Sequence, residues 1–160
     1  SFVGGIIAVF IIGHFEESLK RISYLAAFIP VIMGMGGNIG IQSSTIVVRG
    51  IATGRINIRH LWQVVSKELM IGLILGAVYG LILATLAQIH YDAGVVAISV
   101  GAGVASSMAI AALVGSLLPM IFARFDVDPA VATGPFVTTS IDILSVFFYF
   151  QLASFFLGLE

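Results

Sequence analysis

Three runs of this chain carry no charged residue at all: Ile22–Val48, Leu69–Ile89 and Ala93–Ala123. Each exceeds the roughly 20 residues that a helix needs to cross a hydrocarbon core. A fourth run, Pro129–Leu159, is broken only by Asp142. Lipid offers no water to bond free backbone N–H and C=O groups, so segments of this kind are expected to be helical. The first apolar run, Phe2–Gly13, is too short by itself at ~1.5 Å per residue. Continued helically through His14, Phe15 and Glu16 it becomes a fifth crossing. The expectation is an all-α integral membrane bundle of five helices in one domain, with spans near 1–18, 22–48, 69–89, 93–123 and 129–159.

Composition agrees. Hydrophobic residues make up 59% of the chain and charged residues 9%, against about 25% charged in soluble domains; mean hydropathy is +1.15. A net charge of −1, with no basic patch interleaved with aromatics, argues against a nucleic-acid partner. The absence of cysteine excludes disulfides, thiolate metal sites and a cysteine nucleophile. The chain does not begin with Met, no basic flank precedes the first apolar run, and no signal-peptide pattern is present, so it reads as an excised domain. Arg49, Arg55, Arg59 and Lys67 lie between the second and third spans and Arg124 between the fourth and fifth; only Lys20 and Arg21 fall in the opposite set of connections. This bias places the Arg49–Lys67 loop and the N-terminus in the cytoplasm, with Glu160 outside. His60 and Trp62 open a stretch suited to an interfacial helical turn.

Asp142 is the residue with the most chemistry to explain. Near the middle of a bilayer-length run, a carboxylate costs roughly 2.5–3.5 kcal/mol to insert. Such an acid is expected to face other helices or water and to serve as an ion or proton site; the bland alternative is a hydrogen bond to Thr138, Thr139 or Ser145. The second span is as unusual. Gly34, Gly36, Gly37 and Gly40 stand beside Asn38, Gln42, Ser43, Ser44 and Thr45, although each interior glycine costs a helix about 1 kcal/mol relative to alanine. Pro30 favours a kink. A glycine-rich face can present carbonyl oxygens to a pore, while the bland alternative is a set of packing notches. Packing alone accounts for two other stripes, Gly72, Gly76, Gly80 and Ala84 on the third span and Ser107, Ala111 and Gly115 on the fourth.

Other chemistries fail on spacing. Ile39 occupies the third-glycine place of a dinucleotide fingerprint and no Gly-Lys-Ser/Thr follows, while His14-Phe15-Glu16-Glu17 is not a zincin motif. His14, His60 and His90 are far apart, and no nucleophile has a base beside it, so an enzyme is not expected. A carboxylate with backbone carbonyls and amide or hydroxyl groups is an all-oxygen set suited to Mg, Ca or Mn. One acid per chain undercharges a divalent site, and a two-fold dimer would bring two Asp142 residues to one axis. Magnesium gives up water reluctantly, so glycine carbonyls would bond its water shell rather than the metal.

The run Pro30-Val-Ile-Met-Gly34-Met-Gly36-Gly37-Asn38-Ile-Gly40-Ile-Gln42-Ser43, followed by Arg49-Gly50, resembles the second transmembrane helix of MgtE-type magnesium channels. Asp128-Pro129-Ala130, Gly134-Pro135, Thr138-Thr139 and Asp142 resemble that family's fifth helix, and Phe15-Glu16 the end of its first. The resemblance covers essentially the whole chain. It implies a homodimer in the cell inner (plasma) membrane, five helices per subunit, and a pore at the two-fold axis between the paired second and fifth helices. It further implies that Asp142 holds hydrated Mg²⁺, that Gly34 and Gly37 offer carbonyls to its water shell with Asn38 and Thr138 beside them, and that Thr45 lines the cytoplasmic part of the pore. Gly134 and Ile41 depart from the pattern, standing where some relatives have Asn. The family's cytosolic regulatory domains are expected to have been lost by truncation or to be missing in this branch.

The expected function is a channel passing hydrated Mg²⁺ into the cytoplasm; a carrier coupled to H⁺ or Na⁺ and a non-conducting scaffold are the competing readings. Asp128 before Pro129 is expected to cap the fifth helix. Glu16, Glu17, Lys20 and Arg21 read as a solvated helix end, and Asp92 as part of a short external turn.

Overall fold

The computed structural model describes residues 2–15, 23–132 and 134–158, and within them the chain is helical with no strand. Five α-helices follow in order: α1 (Phe2–His14), α2 (Ile29–Ala52), α3 (Leu61–Tyr91), α4 (Gly94–Arg124) and α5 (Pro135–Leu157). Short 3-10 turns, Ser23–Phe28, Ile58–His60 and Pro129–Ala132, lead into α2, α3 and α5. Four segments are long and apolar enough to cross a membrane: Ser23–Ala52, Ile58–Tyr91, Gly94–Arg124 and Pro135–Leu157. With 13 residues, α1 reaches only ~20 Å of a ~30 Å core. Its expected continuation through Glu16 lies outside the described residues, as do Glu17, Lys20, Arg21 and Glu160.

The helix ends differ from the sequence expectation in three places, each for a local reason. Pro30 does not kink a helix interior; it occupies the first turn of α2, where its missing N–H would have had no intrahelical partner in any case. α3 begins at Leu61, eight residues before the charge-free run, and carries Lys67 and Glu68 within it. Charge marks where hydrocarbon ends and does not stop the backbone ladder. The fifth helix begins at Pro135 and not at Pro129. Asp128 does cap, but it caps the 3-10 turn, its Oδ1 accepting from the Ala130 N–H at 2.9 Å. Gly134 then takes φ 75° and ψ −132°, a conformation open to glycine and strained for other residues. Pro135 reinforces the break by disfavouring a helical residue before it.

Tertiary packing is organised around α4, which lies against α2, α3 and α5; α3 has its extensive contact with α4 alone, and α1 packs on α5. The small-residue stripes explain this directly. A Cβ on Gly76 would lie 2.8 Å from the Ala105 carbonyl oxygen, and one on Gly80 would lie 2.6 Å from that of Gly101. On its opposite side α4 turns Ser107, Ala111 and Gly115 to α2, where a side chain on Gly115 would meet the Gly40 carbonyl. Ser107 closes this seam with hydrogen bonds to the Ile32 carbonyl (3.2 Å) and to the Ser145 hydroxyl (2.8 Å). Thus α2, α4 and α5 are joined at one buried point. About one turn further along α5 the buried Tyr149 hydroxyl donates to the Leu25 carbonyl at 3.0 Å, fixing the 3-10 turn ahead of α2.

Candidate ion site

Every sequence feature singled out for ion chemistry falls on α2 or α5, and these two helices touch. α2 stays continuously helical through all four glycines, so its carbonyls remain in the helical ladder. What glycine changes is the cover over them, and the four positions divide by what surrounds them. Gly36 and Gly40 face inward. A Cβ on Gly36 would come within 2.6 Å of Ser107 Oγ and 2.9 Å of Ser145 Oγ, and one on Gly40 would collide with the Ile141 side chain. Gly34 has open space where a Cβ would stand. Gly37 lies at the border, with Asp142 Oδ1 3.9 Å from its Cβ position.

The candidate site is therefore a seam between two helices. Asp142 is half-buried, and among the described residues its carboxylate has no hydrogen-bond or ion-pair partner. The hydroxyls available to it are engaged elsewhere. Thr138 bonds back to the Gly134 and Pro135 carbonyls at 3.1 and 3.2 Å, and Ser145 is held by Ser107. Thr139 packs against Gly4 of α1. The bland explanation of the acid, a hydrogen bond to one of these groups, is not what the structure contains.

Gly34, Asn38, Thr45 and Arg49 all lie on the exposed side of α2 together with Ile41 and Gln42. These positions recur every three or four residues and so share one face. That face is a polar stripe along a membrane-length helix, uncovered within the single chain. Of the residues proposed from sequence, the structure brings Gly37 to Asp142 and places Thr138 one turn before it on α5. Asn38 and Gly34 share the adjoining α2 face, and Thr45 lies some two turns further along, away from the carboxylate. No group of three or more Asp, Glu or His that could hold a metal occurs among the described residues. Among these residues a cation site has at most two such side chains from one chain, with neutral oxygens or a second chain to complete it.

Sequence reasoning passed over Glu68, which is only 7% exposed. It lies in α3 beneath the α2–α3 connection and lines a cavity with Arg55, His60 and Lys67. In the sequence it stands beside Lys67 just before a charge-free run, with nothing there to mark it as buried.

Comparison with known proteins bears on the same segment. A family model described as MgtE, divalent cation transporter, matches residues 29–152, from the first residue of α2 almost to the end of α5. The chain is 33% identical over 153 residues to a magnesium transporter MgtE of Bacillus subtilis, covering 96% of this chain and 34% of that protein. It is 35% identical over 147 residues to the magnesium transporter MgtE of Enterococcus faecalis, covering 92% and 32%. The magnesium transporter MgtE of Thermus thermophilus is 33% identical over 150 residues, covering 93% and 33%. The chain thus spans about a third of the length of these curated relatives.

Proposed function

Because the chain belongs to the MgtE family of divalent cation transporters, we propose that it forms the membrane pore of a magnesium transporter and passes hydrated Mg²⁺ into the cytoplasm. The observation that carries this reading is the unpartnered, half-buried Asp142 carboxylate beside Gly37, next to an uncovered polar face of α2. A lone mid-membrane charge is costly, and a cation offsets that cost.

One acid balances half of a divalent charge, so the pore is a two-fold assembly in which α2 and α5 of two copies face a common axis. The uncovered stripe of α2 supplies the matching surface. Pairing it with its symmetry mate encloses Gly34, Asn38 and Thr45 in a shared, watery path rather than in lipid. Mg²⁺ retains most of its waters. In that path its charge is balanced by two Asp142 side chains, while the Gly34 and Gly37 carbonyls accept hydrogen bonds from the water shell. Helical carbonyls keep a second lone pair for this role, and glycine leaves the approach open. Asn38 and Thr138 add neutral oxygens near the carboxylate, and Thr45 lines the path toward the Arg49 end. The excess of basic residues in the α2–α3 connection puts that end in the cytoplasm.

The deciding experiment measures Mg²⁺ flux into liposomes for wild type and Asp142→Asn, with assembly checked by size-exclusion chromatography. The amide preserves size and one acceptor oxygen but removes two charges from the paired site. Mg²⁺ binding is expected to weaken by more than ~10-fold, or ~1.4 kcal/mol, with flux largely lost. Asparagine variants that transport as well as wild type would sink the assignment. Single-channel recording completes the test, since discrete openings identify a channel and flux tied to a pH gradient identifies a carrier.

A further inference from the structure

A second site is built without any residue of α2 or α5, the two helices of the ion seam. The 3-10 turn before α3, the first turn of α3 and the last two turns of α4 enclose a cavity of about 530 Å³. Two guanidinium groups line it, Arg59 from the turn and Arg124 from the end of α4, and no acidic side chain does. Among the described residues neither arginine is held in an ion pair. The rest of the wall is apolar, with Leu117 and Ile121 of α4 facing Ile58 and Leu61. Trp62 stands at the rim, 73% exposed.

This layout has a direction. Leu117, Ile121 and Arg124 recur at helical spacing on one face of α4, running from the membrane interior to its edge. Exposed tryptophan is the side chain most suited to the headgroup level, and Arg59 lies in the connection before the charge-free run of α3 begins. A ligand matching the cavity therefore has an anionic head at the interface and an apolar tail directed into hydrocarbon. Arginine's planar fork suits phosphate oxygens in particular. Basic pockets between helices on the cytoplasmic side are a known setting for acidic lipid headgroups. A free phosphate ion shares the head chemistry but leaves the apolar wall and the rim tryptophan without a role.

We propose that the Arg59–Arg124 cavity binds the headgroup phosphate of an anionic phospholipid, whose acyl chain lies along Leu117 and Ile121. The site is independent of the Mg²⁺ path, and its test does not measure transport. Purified protein in detergent is titrated with phosphatidylglycerol, phosphatidylcholine and inorganic phosphate, and bound species are counted by native mass spectrometry. Wild type should prefer phosphatidylglycerol, and Arg59→Gln/Arg124→Gln should weaken that lipid by about tenfold or more. Arg55→Gln/Lys67→Gln removes the same amount of charge from residues outside the cavity and should weaken it by less than about threefold. If the double cavity variant does not fold, Arg59→Gln alone, at an exposed turn position, replaces it with an expected loss of about threefold or more. Equal losses in the cavity and control variants would overturn the site in favour of diffuse surface charge. Equal binding of phosphatidylcholine would reduce it to an apolar groove, and inorganic phosphate binding as tightly as phosphatidylglycerol would make it a small-anion site; either result overturns the proposal.

Discussion

Two glycines on α2 that look alike in sequence have opposite duties in the structure. Gly36 and Gly34 are both bilayer-depth glycines, yet one is pressed against Ser107 and Ser145 while the other faces open space. Gly36→Val should destabilise the bundle by ~1–3 kcal/mol through overpacking, seen as a lower unfolding temperature. Gly34→Val should leave that temperature nearly unchanged and reduce Mg²⁺ flux by more than about tenfold, because its branched side chain covers the carbonyls of the open face. A conducting Gly34→Val would show that the open face is not part of the path. The serines divide similarly. Ser107 ties α4 to α2 and α5, so Ser107→Ala should cost ~1–3 kcal/mol by stranding a buried partner. Ser44 Oγ is buried with no partner, and Ser44→Ala should be neutral or stabilising by thermal melting.

At the scale of the element, the helix with the clearest sequence signature is the one furthest from the chemistry. The Gly72–Gly76–Gly80 stripe of α3 meets α4 backbone to backbone, and α3 has hardly any contact with α2. Gly76→Leu should therefore separate α3 from α4, making the chain protease-sensitive in the α2–α3 connection. A Gly76→Leu chain with the wild-type digestion pattern would contradict this packing. The four long crossings and both small-residue stripes were legible because charge-free length and i, i+4 spacing are properties of a single helix. The sorting of Gly34, Gly36, Gly37 and Gly40 was not, since it depends on where Ser107, Ile141 and Asp142 come to rest on other helices. The helix starts at Leu61 and Pro135 were also hidden. In the first case the charged pair Lys67–Glu68 resembled a boundary, and in the second Pro129 offered an equally good first-turn proline until Gly134 took a positive φ. The carboxylate itself was legible, because a lone acid in a 31-residue apolar run (129–159) needs no tertiary information to stand out.

For the whole molecule, the uncovered polar stripe of α2 sets the expected assembly. The chain has no cysteine, so single-cysteine variants report proximity without background. Asn38→Cys and Thr45→Cys should form disulfide-linked dimers on mild oxidation in membranes. Leu81→Cys, at an α3 residue that is 70% exposed, should not. Crosslinks at Leu81 with none at Asn38 or Thr45 would place the two-fold axis on the wrong side of this bundle. The central position of α4 also sets an order of events at the ribosome. α2 is synthesised well before α4, yet Ser107 and Ala111, which pack on Gly36 and Gly40, arrive only when α4 does. At ~5–20 residues per second, the interval from Ala52 to Arg124 lasts several seconds. Through that interval α2 is an orphan helix, notched on one side and polar on the other. The insertion machinery must chaperone it until the α3–α4 hairpin arrives.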